Sequence, residues 1–333
     1  MNLVRKICAA FLSISLFIIA GCENTPESVA DWKHAAVGLL DASISEDGRF
    51  AVIGSVNHGI GYWNLETNEL LYEWRHNDNP EDGILASDIS PDGSRVITAD
   101  RQNFVIWSTV TGKPYGYWQA PAKIYSVAIS RKGRYVLLGL QNGNAIHIDM
   151  TTGRRLVFTG HRDEAVSSVD LSANGEWAFT GSHDYRAILW NTRSGKPKYI
   201  FEHDSRVTQV ALDRKGLQAF TSGTRGNAFV WDLTTGGQRS RLALKPREYV
   251  ISAARFSPDG KWVATGAPGR DIILWSTQSG AKLKQWKAKT RNQWKPSGAI
   301  VYAIAFDAEG KHVITEASSG FGQKWAVLPL SQP

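Results

Sequence analysis

The sequence contains almost no cysteine. Among its 333 residues only Cys8 and Cys22 carry a thiol, and both lie within the first 22 positions. The long remainder can therefore form neither an internal disulfide nor a cysteine-ligated metal site. Methionine is equally scarce, with two residues, whereas 31 glycines and 13 tryptophans indicate β-structure with many tight turns rather than helices.

Motifs for catalysis and for cofactor binding are missing as well. The sequence has no Gly-x-Ser-x-Gly elbow, no P-loop and no dinucleotide fingerprint, and none of its eight histidines shows metal-ligand spacing. Carboxylate pairs such as Glu46-Asp47 fall in predicted turns, where we expect them to be solvated. The sequence therefore predicts no catalytic residues, no metal and no cofactor.

Positive charge exceeds negative charge only modestly. The formal net charge is +7, and the excess is spread along the chain without a basic run. A nucleic-acid partner is therefore not expected. The hydrophobic fraction of 42% is large enough for an extensive core and excludes wholesale disorder.

The amino-terminal segment has the pattern of a targeting signal. Arg5 and Lys6 precede an uncharged stretch, residues 7–20. That stretch is too short to span a bilayer core of about 30 Å, so it is typical of a secretory signal. It ends in Ile19-Ala20-Gly21-Cys22, which resembles the bacterial lipobox.

This resemblance implies an acylated amino terminus. Residues 1–21 would be a lipoprotein signal peptide, Cys22 would carry the lipid, and residues 22–30 would be a polar tether. Residue 23 is Glu rather than the Asp that tends to retain such lipoproteins at the inner membrane. The expected location is thus the bacterial outer membrane, facing the periplasm, with the inner membrane as one alternative and a plain cleaved signal as another.

A four-residue turn with a final glycine recurs seven times, at intervals of 40 to 50 residues. The glycines are Gly48, Gly93, Gly133, Gly175, Gly216, Gly260 and Gly310. A tryptophan follows 14 or 15 residues later in every copy but the third, where Ile148 takes its place. Short apolar or alternating stretches lie between these markers and are typical of strands.

This periodicity resembles the WD-repeat family of β-propellers, whose repeats contain four strands each. The resemblance implies an all-β fold over residues 31–333: a monomeric seven-bladed β-propeller of four-stranded antiparallel blades. The seventh copy has no room for an outer strand, whereas residues 29–35 resemble the outer strands of other copies. We therefore predict that the N-terminal strand closes the last blade.

In the WD-repeat family a histidine, a strand Ser or Thr, a turn Asp and the Trp form a buried hydrogen-bond network. Only the fourth copy matches this pattern fully. Its predicted network residues are His161, Thr180 or Ser182, Asp184 and Trp190. His76 and His203 of other copies are expected to lack the aspartate.

One end of a propeller collects the loops that enter the inner strands and the loops between second and third strands; we call this end the rim. The repeat places two sets of candidate partner-binding residues there: Lys123, Tyr125, Arg206 and Tyr302 at inner strands, and Asp100, Arg101, His183, Arg225 and Arg270 in the other loops. Tyr and Arg are favoured interface anchors, although such residues can also be merely exposed. Trp294, in the basic insertion 288–298, either packs on its blade or contacts a partner.

The predicted function is a non-catalytic scaffold. It would be held to the membrane through its lipid anchor and would bind an envelope protein or peptide. This prediction rests on analogy at the level of the fold. Two alternatives use the central channel: an envelope hydrolase or lyase, which would need titratable groups that converge there, and a small-ligand binder.

Overall fold

The structure, a computed structural model, describes residues 26–55, 59–76, 83–244, 250–292 and 298–329. The predicted signal peptide, Cys22 and Trp294 lie outside these residues. The described part of the chain forms 28 strands and one short 3₁₀ turn, Arg131–Gly133. No helix within it is long and apolar enough to span a membrane.

The strands form seven four-stranded antiparallel sheets around a ring. The first strand, β1 (Ala30–Lys33), belongs to the last sheet. Blades 1 to 3 consist of β2 (Leu39–Ile44), β3 (Phe50–Ser55), β4 (Gly59–Asn64), β5 (Glu69–Trp74), β6 (Ala86–Ile89), β7 (Arg95–Ala99), β8 (Asn103–Ser108), β9 (Pro114–Gln119), β10 (Ile124–Ile129), β11 (Tyr135–Leu140), β12 (Ala145–Asp149) and β13 (Arg155–Phe158).

The remaining blades follow in chain order with the same internal arrangement. Blades 4 to 7 consist of β14 (Val166–Leu171), β15 (Trp177–Ser182), β16 (Arg186–Asn191), β17 (Lys196–Glu202), β18 (Val207–Leu212), β19 (Gln218–Gly223), β20 (Ala228–Asp232), β21 (Gln238–Arg241), β22 (Ala253–Phe256), β23 (Trp262–Gly266), β24 (Asp271–Ser276), β25 (Lys282–Lys287), β26 (Val301–Phe306), β27 (His312–Ala317) and β28 (Phe321–Ala326). The predicted all-β, seven-bladed architecture is confirmed.

The recurrent turn joins the first and second strands of each blade. In blade 2, Ser90 Oγ donates to Asp92 Oδ1 at 2.8 Å and accepts from the backbone N–H of Arg95 at 2.9 Å. Gly93 has a φ of 69°, a left-handed conformation that glycine adopts without a Cβ clash. The turn is therefore specified locally, and its repetition sets the period of the ring.

The N-terminal strand closes the ring, as predicted. In β1, Ala30 lies opposite Lys324 and Lys33 lies opposite Phe321 of β28. Hydrogen bonds from Val29 N to the Lys324 carbonyl, 2.7 Å, and from His34 N to the Gly320 carbonyl, 2.9 Å, extend the pairing. Seven buried apolar clusters, one at each interface between neighbouring blades, complete the closed core.

A buried ion pair lies at this closure. His34 Nδ1 is 3.1 Å from Glu316 Oε1 and both side chains are 0% exposed, so the contact is an ion pair when the imidazole is protonated. The His34 ring also lies 4.7 Å from that of Trp63 in blade 1. Burial acts to lower the pKa of His34, but Glu316 and Asn68 outweigh it and leave that pKa raised.

The two ends of the ring differ in what they present. The rim has been defined above; the opposite end, which we call the turn face, is formed by the turns between first and second strands and between third and fourth strands. Strand β1 runs towards the rim, because Lys33 pairs with Phe321 at the rim end of β28. The residues before Ala30 therefore leave the propeller from the turn face.

Candidate functional site: the rim and the central channel

The hydrogen-bond network of blade 4 centres on Thr180. His161 Nε2 lies 2.7 Å from Thr180 Oγ1, which also accepts from Trp190 Nε1 at 2.9 Å. His161 Nδ1 lies 3.1 Å from Asp184 Oδ1. Ser182 forms no hydrogen bond with His161 or Trp190; its hydroxyl donates to the Glu164 carbonyl at 2.8 Å and accepts from the backbone N–H of Asp184 at 3.2 Å. The network fastens the loop before β14 to the second and third strands of its blade.

Blade 2 contains a second such network. His76 Nε2 lies 2.7 Å from Thr98 Oγ1, to which Trp107 Nε1 donates at 2.8 Å, and His76 Nδ1 lies 3.3 Å from Asp100 Oδ2. The expectation that His76 lacks an aspartate is therefore wrong. The aspartate precedes the tryptophan by seven residues in blade 2 and by six in blade 4, so a fixed spacing misses it.

Blade 5 lacks the carboxylate, as expected. His203 Nε2 lies 2.9 Å from Thr221 Oγ1, and Trp231 Nε1 donates to the same hydroxyl at 2.8 Å. Arg225 stands where blade 4 has Asp184, six residues before the tryptophan. Burial lowers the pKa of His203 to about 4, against the opposing charge of Asp204.

The structure brings several of the predicted rim residues to the channel mouth. Tyr125 and Tyr302 are the second residues of β10 and β26, and both line a central cavity of about 240 Å³. Lys123 places its Nζ 5.0 Å from the centre of the Tyr125 ring. Arg206 is exposed; burial, and after it the charge of Arg206, lowers the pKa of His183.

The other rim residues are spread around the ring and differ in their availability. Arg101 is exposed beside the blade 2 network. Arg225 Nη1 donates to the Asp204 carbonyl at 3.4 Å, and Arg270 Nε donates to the Ala288 carbonyl at 2.9 Å. Asp100 accepts from two backbone N–H groups in addition to its contact with His76, so its carboxylate is occupied within the fold.

The central channel holds a set of charged side chains that sequence reasoning missed. Asp41, Asp88, Asp170 and Arg255 all line the 240 Å³ cavity. Asp88, Asp170 and Arg255 stand two residues before the first residue of the recurrent turn, where the other copies hold Ser43, Ala128, Ala211 and Ala305. A comparison of the seven copies at that position could have found them.

The two aspartates at the repeat position join neighbouring blades. Asp88 accepts from its own neighbour, Ile89 N, and from Ile129 N of blade 3, both at 2.9 Å. Asp170 accepts in the same way from residues 171 and 212, both at 2.7 Å. Each carboxylate thus uses both oxygens to link inner strands. Burial raises the pKa of Asp88 to about 7, although the charge of Arg255 opposes the shift.

An ion pair crosses the channel at the turn face. Arg214 Nε of blade 5 lies 2.7 Å from Glu46 Oε1 of blade 1. Because these blades are not neighbours in the ring, the pair spans the channel mouth. The expectation that Glu46 is merely solvated is wrong, since the ring geometry brings a cation from the far side within reach.

Asp41 should make stability depend on pH. Burial raises its pKa to about 7, although Ser87 Oγ donates to its Oδ2 at 2.5 Å. Because the carboxyl of Asp41 ionises at lower pH in the unfolded chain than in the fold, stability falls as pH rises from its usual pKa of 3.8 to about 7 and stays lowered above that. We expect the free energy of unfolding of Asp41→Asn to exceed that of the wild type by about 1–2 kcal/mol at about pH 8. This value is kept small because Asp41 is partly exposed and its charge is partly screened by solvent. Urea unfolding at about pH 5 and pH 8 measures this; an equal difference at both values would contradict it.

Comparison with known proteins adds to this picture. The family model "WD domain, G-beta repeat" matches residues 154–191 and 244–276. These two stretches resemble WD repeats. The first contains the whole His161 network of blade 4, and the second ends just beyond Trp275, the tryptophan of the repeat pattern in blade 6.

Several relatives match over 50% to 77% of this chain. The guanine nucleotide-binding protein subunit beta of Solanum tuberosum is 23% identical over 264 residues, which cover 74% of this chain and 68% of that protein. The target of rapamycin complex subunit LST8 of Mus musculus is 20% identical over 268 residues, which cover 77% of this chain and 81% of that protein. The protein LST8 homolog of Drosophila pseudoobscura pseudoobscura is 21% identical over 169 residues; the match covers 50% of this chain and about half, 53%, of that protein.

Proposed function

We propose that this protein is a non-catalytic scaffold of the bacterial envelope. In this proposal a lipid on Cys22 holds the propeller to the outer membrane on its periplasmic side, and the rim binds an envelope protein or peptide. The similarity to WD-repeat subunits supports the binding of protein partners. The lipobox supports the anchor.

The proposed binding role depends on the exposed tyrosine and arginine side chains of the rim. Tyr125 is 38% exposed beside Lys123, and the exposed side chains of Arg101 and Arg206 make no hydrogen bond or ion pair with the described residues. Exposed Tyr and Arg side chains are the types that contribute most at interfaces. In contrast, Asp88 and Asp170 in the channel are already hydrogen-bonded to backbone N–H groups, which argues against their use as acid and base.

Partner binding can be tested by changing the rim and leaving the rest of the ring intact. We expect the double variant Tyr125→Ala/Arg206→Ala to lose at least about tenfold in the recovery of its main crosslinked partner, because two anchors are removed. Crosslinking in intact cells, followed by affinity purification, measures this. The matched control is Tyr117→Ala/Lys261→Ala, which removes the same residue type and the same charge from an outer strand and the turn face. Equal recovery from both variants would contradict the proposal.

The anchor is tested separately. We expect Cys22→Ser to move the protein from the membrane fraction to the soluble periplasmic fraction, because the acyl chains provide the durable attachment. Fractionation and mass spectrometry of the amino-terminal peptide measure this, with an exposed-residue variant such as Thr152→Ala as the control. A Cys22→Ser protein that stays with the membrane would refute the lipid anchor but not the partner-binding rim.

A further inference from the structure

A groove between blades 3 and 4 opens on the turn face. Its cavity of about 360 Å³ is lined by three arginines, each from a different turn. Arg134 follows the first turn of blade 3, Arg154 follows the second turn of that blade, and Arg193 lies in a turn of blade 4. All three are exposed, so their guanidinium groups are accessible from solvent.

A buried histidine also lines this groove. His147 of β12 is 5% exposed, and its Nε2 has no hydrogen-bond partner among the described residues. The Tyr135 ring stacks on it with centroids 5.1 Å apart. Burial lowers the pKa of His147 to about 4, against the opposing effects of the Asp149 charge and of a hydrogen bond between the ring and the Gly175 backbone. The ring is therefore neutral near pH 7.

The histidine departs from the repeat. The register of the second and third strands gives its counterpart in every other blade: Tyr62, Ile106, Leu189, Val230, Leu274 and Lys324. Five of these six are apolar or aromatic, so packing alone does not require an imidazole at this position. An unpartnered polar atom at a buried position instead points to a ligand that completes its hydrogen bonding.

The charge around the groove favours an anion. An adjoining cavity of about 640 Å³ shares four residues with the first: Arg134, Tyr135, Asn174 and Glu176. Seven cations and two carboxylates line the two together, of which Arg214 is already paired with Glu46: Arg131, Lys132, Arg134, Arg154, Arg193, Arg214, Lys215, Asp149 and Glu176. Both carboxylates already have partners: Asp149 Oδ1 accepts from two backbone N–H groups and its Oδ2 lies 4.0 Å from Arg134 Nη2, and Glu176 accepts from Asn174.

We propose that this groove is a phosphate-binding site, with Arg134, Arg154 and Arg193 as the charged donors and His147 as a neutral hydrogen-bonding group. The planar guanidinium matches the geometry of phosphate oxygens. The chain before Ala30 leaves from the same face of the ring, and the tether of residues 22–29 reaches at most about 30 Å. The phosphate is therefore that of an anionic phospholipid headgroup. The assignment of the phosphate to a phospholipid rests on the proposed anchor at Cys22, whereas the phosphate site itself does not.

The experiment uses the chain from residue 23 onward, which lacks the acylated cysteine and keeps every strand of the propeller. The thermal midpoint is measured in phosphate and in chloride at equal ionic strength. Cosedimentation is then measured with phosphatidylcholine vesicles, with and without about 30 mol% phosphatidylglycerol, at about 0.15 M salt. The variants are Arg154→Gln/Arg193→Gln and His147→Leu, the latter taken from the counterpart residue of blades 4 and 6. The control, Lys261→Gln/Lys311→Gln, removes two exposed charges elsewhere on the turn face.

We expect phosphate to raise the midpoint of the wild type and of the control, and of neither groove variant. The double arginine variant should lose about tenfold or more in affinity for the anionic vesicles, because each basic residue near such a surface contributes substantially. His147→Leu should lose the phosphate effect while it remains folded. No effect of phosphate on the wild type, or an equal loss in the control, would overturn the site. A phosphate effect without vesicle binding would overturn the lipid source, and neither result depends on the anchor being present.

Discussion

Deletion of residues 24–36 is expected to open the ring and to lower the free energy of unfolding substantially. The deletion removes β1, which supplies the outer strand of blade 7, and it removes His34, which pairs with the buried Glu316. Loss of one partner of a buried ion pair by itself costs about 3–5 kcal/mol, and the lost strand adds to this. Urea unfolding followed by tryptophan fluorescence measures the change.

A shorter deletion is the control for this experiment. Removal of residues 23–27 takes away most of the tether and leaves β1 and its pairing with β28 in place. We expect this control to unfold like the full-length chain. The longer deletion should also expose the edge of β28 and therefore aggregate, which size-exclusion chromatography detects. If both proteins have the same midpoint and stay monomeric, strand β1 does not close the ring.

The closure was predictable because the signals for it are local. The Ser-x-x-Gly turn forms hydrogen bonds within six residues, as Ser90 and Arg95 show, so its recurrence marks each blade in the sequence. The residues around Trp32 resemble the outer strands of other copies, and the seventh copy lacks such a strand. A missing element at one terminus and a surplus element at the other are sufficient to predict the pairing.

The channel and the second network were not predictable in the same way. Glu46 and Arg214 are 168 residues apart, and only the ring places them face to face. The aspartate of the blade 2 network, Asp100, is displaced by one residue relative to blade 4, because the loop geometry differs. The deviation of His147 is visible when the copies are aligned, but its burial and its unpartnered nitrogen depend on packing between blades.

Blade 7 differs from the other blades at the position of Glu316, and Gly322 beside it leaves room for the Glu316 carboxylate. Glu316 stands where four other blades have a glycine: Gly54, Gly139, Gly181 and Gly266. Its carboxylate fits because residue 322 is glycine, and a Cβ there would collide with it. The blade that receives the N-terminal strand thus carries a buried charge for which His34 of the entering segment is the partner.

We expect His34→Leu to destabilise the propeller by about 3–5 kcal/mol, because Glu316 then remains buried without a cation. The double variant His34→Leu/Glu316→Gln should recover most of this loss, because no uncompensated charge is left in the interior. Urea unfolding of the three proteins at one pH provides the comparison. A double variant as unstable as His34→Leu would show that His34 acts through packing against Trp63 rather than through its charge.

The pH dependence of stability is a second way to distinguish the charge of His34 from its packing. The folded pKa of His34 is raised above its usual value, so the stability that its protonation provides is fully present below about pH 6.5 and is lost as pH rises through the folded pKa. The free energy of unfolding of the wild type should therefore exceed that of the double variant by a larger amount at about pH 6 than at about pH 9. Asp41 and Asp88 titrate in both proteins, so their contributions cancel in this difference. A difference that is constant with pH would mean that the pair is not ionised in the folded ring, and the closure would then depend on strand pairing alone.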